Sequence, residues 1–202
     1  MLKFLIAQGA DVQQFLNSAS SPLHMAVRGP KTTAFLLDLG APVGRHGLAD
    51  KTELHLAAQT CTTDTRTIQL LIAHGSPVDA RDSMYQTPLM DAAGHGSVVA
   101  CEALVAAGAQ IDARDKYGET ALLQAIGGGR NDVVQWLIRH GAGVNARYRN
   151  PYLQPPQIGG NALTMARERC TTETIKLLLE FGAKEPAALA HDSDTSRSMT
   201  AP

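Results

Sequence analysis

Histidine titrates near neutrality and is the first side chain to examine for proton transfer or metal binding. The seven histidines of this 202-residue chain are spread along it, not gathered together. His74 and His140 each precede a glycine, where a cation complements the end of a helix. His95 stands apart, in the turn Gly94-His95-Gly96. Among the acids, Asp91 lies between Met90 and Ala92 in an otherwise apolar stretch. A carboxylate there must be hydrogen-bonded or reach water, because burying it unpaired is costly. It is either a contact residue or a satisfied helical one. Asp82 and Asp115 open turns, and Asp79 and Asp112 belong to loops, so these four read as structural.

No Ser/His/Asp order, phosphate-cradling loop or metal-spaced cluster appears. Gly127-Gly128-Gly129 is preceded by no strand and followed by no Lys-Ser/Thr pair, so it reads as a helix stop and not a nucleotide motif. Cys61, Cys101 and Cys170 share no close Cys/His spacing. An odd, unpaired set argues against a disulfide framework or zinc site and for a reducing, intracellular and cytoplasmic setting. No catalytic residue, cofactor or metal is expected. A formal net charge of -1 gives no uniformly basic surface for nucleic acid. No apolar run approaches the ~18 residues of a membrane span, and no signal-peptide pattern opens the chain.

The elements that position these residues recur. Leu-x-x-x-Gly closes at Gly9, Gly40, Gly75, Gly108, Gly141 and Gly182, with intervals of 31, 35, 33, 33 and 41 residues. The chain therefore repeats a unit of about 33 residues. The clearest one starts with the turn Asp115-Lys116-Tyr117-Gly118 and a capping Thr120. A short apolar helix over 121–126 follows, and the triple glycine ends it. A second helix runs from about Asn131 to His140, with Val133, Val134, Trp136, Leu137 and Ile138 as its buried stripe and Gly141 as a left-handed terminator.

Thr87-Pro88-Leu89 with Ala92-Ala93, Ser21-Pro22-Leu23-His24 and Thr52-Glu53-Leu54-His55 are similar to the opening of an ankyrin repeat. So is Gly108-Ala109-x-Ile111-Asp112-Ala113 to its close, and the resemblance covers roughly residues 2 to 184. It implies an all-α solenoid of stacked helix-turn-helix units with extended loops between them. It also implies that His24 and His55 tie one repeat to the next, with a thinner network where Met90, Leu123 and Thr164 replace that histidine.

The expected division is a partial repeat over 1–11, repeats over 12–43, 44–80, 81–113 and 114–146, an inserted loop over 147–158, a repeat over 159–185 and a disordered tail over 186–202. The opening segment supplies only a second helix, which suggests a fragment of a longer array or an incomplete gene model.

The resemblance further implies that partners meet the loop tips and the concave edge of the first helices. This selects Arg81, Ser83 and Met84 at one tip, Arg114, Lys116, Tyr117 and Glu119 at the next, and Arg147, Tyr148, Arg149 and Tyr152 in the insertion, with His95 on the concave side. Arg and Tyr combine area, rigidity and hydrogen bonding at interfaces, although turns are polar anyway. Arg167, Glu168 and Arg169 either extend this face or pair on a solvated helix. The expectation is a non-catalytic module for a protein partner with an acidic or aromatic segment, of open oligomeric state, with no nucleic acid and no membrane. The alternatives are a small-molecule binder or atypical enzyme with His95, Asp91, Arg147 and Tyr148 in a pocket under the 147–158 loop, and a structural spacer.

Overall fold

A computed structural model describes residues 21–61, 63–149 and 158–184. The expected partial repeat over 1–11, the start of the next repeat, Tyr152 and the tail over 186–202 lie outside these residues. Helices pair along the chain: α1 (Pro22–Ala26) with α2 (Pro30–Asp38), α3 (Glu53–Thr60) with α4 (Arg66–Ala73), and α5 (Pro88–His95) with α6 (Val98–Ala106). α7 (Ala121–Gly127) pairs with α8 (Asn131–Arg139), and α9 (Ala162–Arg169) with α10 (Thr172–Glu180). Inner helices pack on inner helices and outer on outer, from each pair to the next.

Short polar side chains start the inner helices. Thr87 and Thr120 accept the N–H groups of Met90 and Leu123, and Asn161 and Thr164 cap each other reciprocally. Outer helices end where glycine takes a left-handed φ, from 82° at Gly40 to 93° at Gly108. The equivalent leucines Leu23, Leu54, Leu89, Leu122 and Leu163 are all 0% exposed, so the five units share one continuous core. Ala57, Ala58, Ala92, Ala93 and Ala125 are equally buried, and their small size lets inner helices approach closely.

Polar bonds repeat at the same interval. His55 Nδ1 accepts the Thr52 N–H at 3.1 Å, so its Nε2 carries the proton and donates to the Gln86 carbonyl at 3.0 Å. His24 Nε2 meets the Lys51 carbonyl at 3.0 Å in the same way. The inter-repeat role implied for both histidines is present. Asp79 accepts the Gln110 N–H and Asp112 the Gly143 N–H, each across one repeat.

Three expectations change. Gly127 belongs to α7, and the left-handed break falls at Gly129, φ 66°. Trp136 is half-buried where full burial is expected: it packs against the core, and its ring also stacks on His140 with centroids 3.9 Å apart. The insertion is not loop throughout. Its flanks form an antiparallel ribbon, β1 (Arg147–Arg149) with β2 (Ile158–Asn161), so the described residues form a helical solenoid carrying a two-stranded element.

Candidate binding edge and groove

The loop tips are built alike. Asp82 Oδ1 accepts the N–H groups of Met84 and Gln86, and Asp115 Oδ1 those of Tyr117 and Glu119, all at 2.8 to 2.9 Å. Each aspartate thus folds its own turn. Neighbouring tips then pair through the backbone: Ser83 N–H donates to Ala49 O, Lys116 N–H to Met84 O and Arg149 N–H to Tyr117 O, at 3.0, 2.9 and 2.8 Å. Four successive tips form one edge with side chains in register.

The residues selected from sequence divide along this edge. Lys116, Arg147 and Arg149 are exposed. Arg81 is exposed too, but its Nη1 donates to Arg114 O at 2.7 Å and Tyr85 O at 3.1 Å. Arg114 Nη1 reaches Arg147 O at 3.5 Å. These two guanidiniums stitch tip to tip. Met84, Tyr117 and Glu119 are half-buried, and Tyr148 packs against the core.

Sequence reasoning passed over Tyr85. It is 56% exposed with φ 61°, at the position that Gly118 fills with φ 79° in the next turn. Aligning Asp82-Ser83-Met84-Tyr85 with Asp115-Lys116-Tyr117-Gly118 exposes the substitution.

Beside the edge, the inner helices form a groove. Asp91 is 7% exposed, and Lys51 holds it with Nζ 2.7 Å from Oδ2 while also reaching Asp82 Oδ2 at 3.1 Å. Asp91 is therefore a satisfied internal carboxylate. Burial works to raise the Asp82 carboxyl, but the Gln86 and Met84 N–H groups and the Lys51 ammonium outweigh it, holding Asp82 below the usual carboxylate range. Glu53, also overlooked, is 0% exposed and accepts the Gly44 and Arg45 N–H groups at 3.0 and 3.3 Å.

One repeat later the same three positions carry Gln86, Asp115 and Gln124. Gln124 Nε2 donates to Glu119 Oε2 at 2.8 Å, and no described cation lies within 4.0 Å of Glu119 or Asp115. Burial, then the Asp115 charge, raises the Glu119 carboxyl. His95 is exposed at the end of α5, its Nδ1 2.8 Å from Asp91 O. Arg130 donates to Gly94 O and Arg169 to Gly127 O, at that same end of the groove.

His95 and Asp91 border one groove cavity, and Arg147 and Tyr148 are not among its walls; residues 150–157, part of the loop over the expected pocket, lie outside the described residues. Burial pushes all three thiols up, Cys101 to about 12, so none is a thiolate at neutral pH. No group of three metal-binding side chains occurs among the described residues, and none of their helices is long and apolar enough to cross a membrane. The family model for ankyrin repeats matches residues 54–148 in three copies. No curated protein matches the chain.

Proposed function

Residues 54–148 are ankyrin repeats, a family of generally protein-binding modules, and we propose that this chain is a non-catalytic module holding a partner segment along its loop-tip edge and concave groove. The observation that carries this reading is the backbone ladder through Ala49, Ser83, Met84, Lys116, Tyr117 and Arg149, which fixes four tips as one surface. Arg81, Met84, Arg114, Lys116, Tyr117, Arg147 and Arg149 lie along it, with Glu119 and His95 on the groove side. Tyr85 adds an exposed aromatic ring of the kind that anchors interfaces. The cations suit an acidic stretch of the partner. Three free cysteines support a reducing, intracellular setting.

Lys116, Arg147 and Arg149 are the residues to change, since their side chains make no hydrogen bond or ion pair among the described residues. Affinity capture from the source cells should recover a partner with the wild-type chain and lose most of it when all three become Glu. Undiminished capture by that folded variant removes the edge as the site.

A further inference from the structure

The groove between α5 and α7 contains a cavity of about 310 Å³. Two of the residues around it, Gly94 and Gly127, are glycines that the fold does not ask for. Neither has a left-handed φ, and an added Cβ would come no nearer than 3.9 Å to Gln124 Oε1 at Gly94 or 3.7 Å to Met165 Sδ at Gly127. Alanine fits both positions, and glycine inside a helix costs about 1 kcal/mol relative to alanine. Gly128 differs, because a Cβ there would lie 2.9 Å from the Gly94 carbonyl. Bare backbone at Gly94 and Gly127 leaves space for something to approach closely.

The walls say what fits. Leu123 and Met165 offer apolar surface, and Glu119 stands at the end nearest the loop tips with Gln124 beside it. The chain also supplies a precedent one repeat earlier, where the Lys51 ammonium sits between Asp82 and Asp91. At the next position the lysine is replaced by Gln86, and the acid Glu119 has only Gln124 as its side-chain partner among the described residues. Arg130 and Arg169 occupy the opposite end, tied to carbonyls, so the groove has an acidic end and a basic one.

We propose that this cavity receives a lysine or arginine side chain of the bound partner segment, with its stem along Leu123 and Met165 and its cation on Glu119. The inference rests on the reading that the groove holds a protein segment. A long basic side chain matches both walls, since its methylenes cover apolar surface while its head pairs. The incoming charge also offsets what burial and Asp115 do to the Glu119 carboxyl.

The test is to pan a phage-displayed library of random dodecapeptides on the full chain. Selected peptides should share Lys or Arg at one fixed position. Affinity of the synthetic peptide, read by calorimetry, should fall on the order of tenfold with Glu119→Gln, through loss of a charge-assisted bond. Gly127→Leu, which fills the cavity, should abolish binding, and circular dichroism checks that it folds. Peptides lost with Gly127→Leu but lacking a fixed basic residue, or indifferent to Glu119→Gln, overturn this inference and leave the groove reading standing. Peptides unaffected by Gly127→Leu, Glu119→Gln and the Lys116, Arg147 and Arg149 changes overturn the groove reading itself, and an empty selection counts against both.

Discussion

Repeats 81–113 and 114–146 share a turn, a capping threonine and a buried leucine, yet they treat charge in opposite ways. In the first, Lys51 reaches across from the preceding repeat to neutralise Asp82 and Asp91 through the chain's own salt bridges. In the second, Gln86 and Gln124 replace two of those charges, and Glu119 remains half-buried without a cation among the described residues. The backbone is a constant, and the groove position before each capping residue decides whether a repeat satisfies itself or leaves a polar site open. Internally paired and unpaired carboxylates thus occur in successive repeats at no change of architecture.

The largest effect expected from this contrast is at Lys51. Lys51→Met leaves two buried carboxylates without their cation and should cost about 3 kcal/mol, measured by urea unfolding. Gln86→Met, at the equivalent position, should cost under about 1 kcal/mol, because no charge is stranded. Equal losses at the two sites would erase the distinction.

The turns give the next test. A Cβ on Gly118 would be strained by φ 79° and would crowd Arg147 O at 3.2 Å, so Gly118→Ala should destabilise by about 1 to 2 kcal/mol. Tyr85→Gly should instead stabilise slightly, by about 0.5 kcal/mol, since glycine relieves the left-handed backbone at some entropic cost. A stabilised Tyr85→Gly variant with weakened partner capture would mark Tyr85 as kept for binding.

The smallest effects appear in the pH dependence, and their signs differ between the repeats. Asp82 has a lowered folded pKa, so its contribution is present above the unfolded value of about 3.9 and is lost as pH falls through the folded one. Glu119 has a raised folded pKa, so its contribution is present below the unfolded value of about 4.3 and is lost as pH rises through the folded one. Glu119→Gln should therefore gain slightly in stability at pH 7, while Asp82→Asn should lose stability there. His55 is lowered chiefly by burial, so wild-type stability should also decline as pH drops below about 6.5, the unfolded value.

Much of the fold is legible in the sequence because its signals are local and recur. The leucine and glycine register places five core leucines and five outer-helix ends, and threonine before an apolar run places the caps. The inter-repeat histidines follow from resemblance and hold. What sequence hides is long side chains with two destinations. Arg81 and Arg114 read as free contacts, yet a guanidinium at a tip also reaches the next carbonyl. Lys51 carries no local signal of its role, since its partner Asp91 is 40 residues away. Tyr148 reads as a tip residue because Arg147-Tyr148-Arg149 is too short an alternating run to announce a strand, although in the ribbon it packs against the core.

Hydrogen–deuterium exchange on the full chain, with and without its captured partner, tests the central claim most directly. Added protection should fall on the loop tips around 83–86, 115–119 and 147–149 and on the inner helices α5 and α7. The outer helices α4, α6 and α8 should be unchanged. Protection confined to those outer helices, with the tips and groove exchanging as in the free chain, would contradict the account.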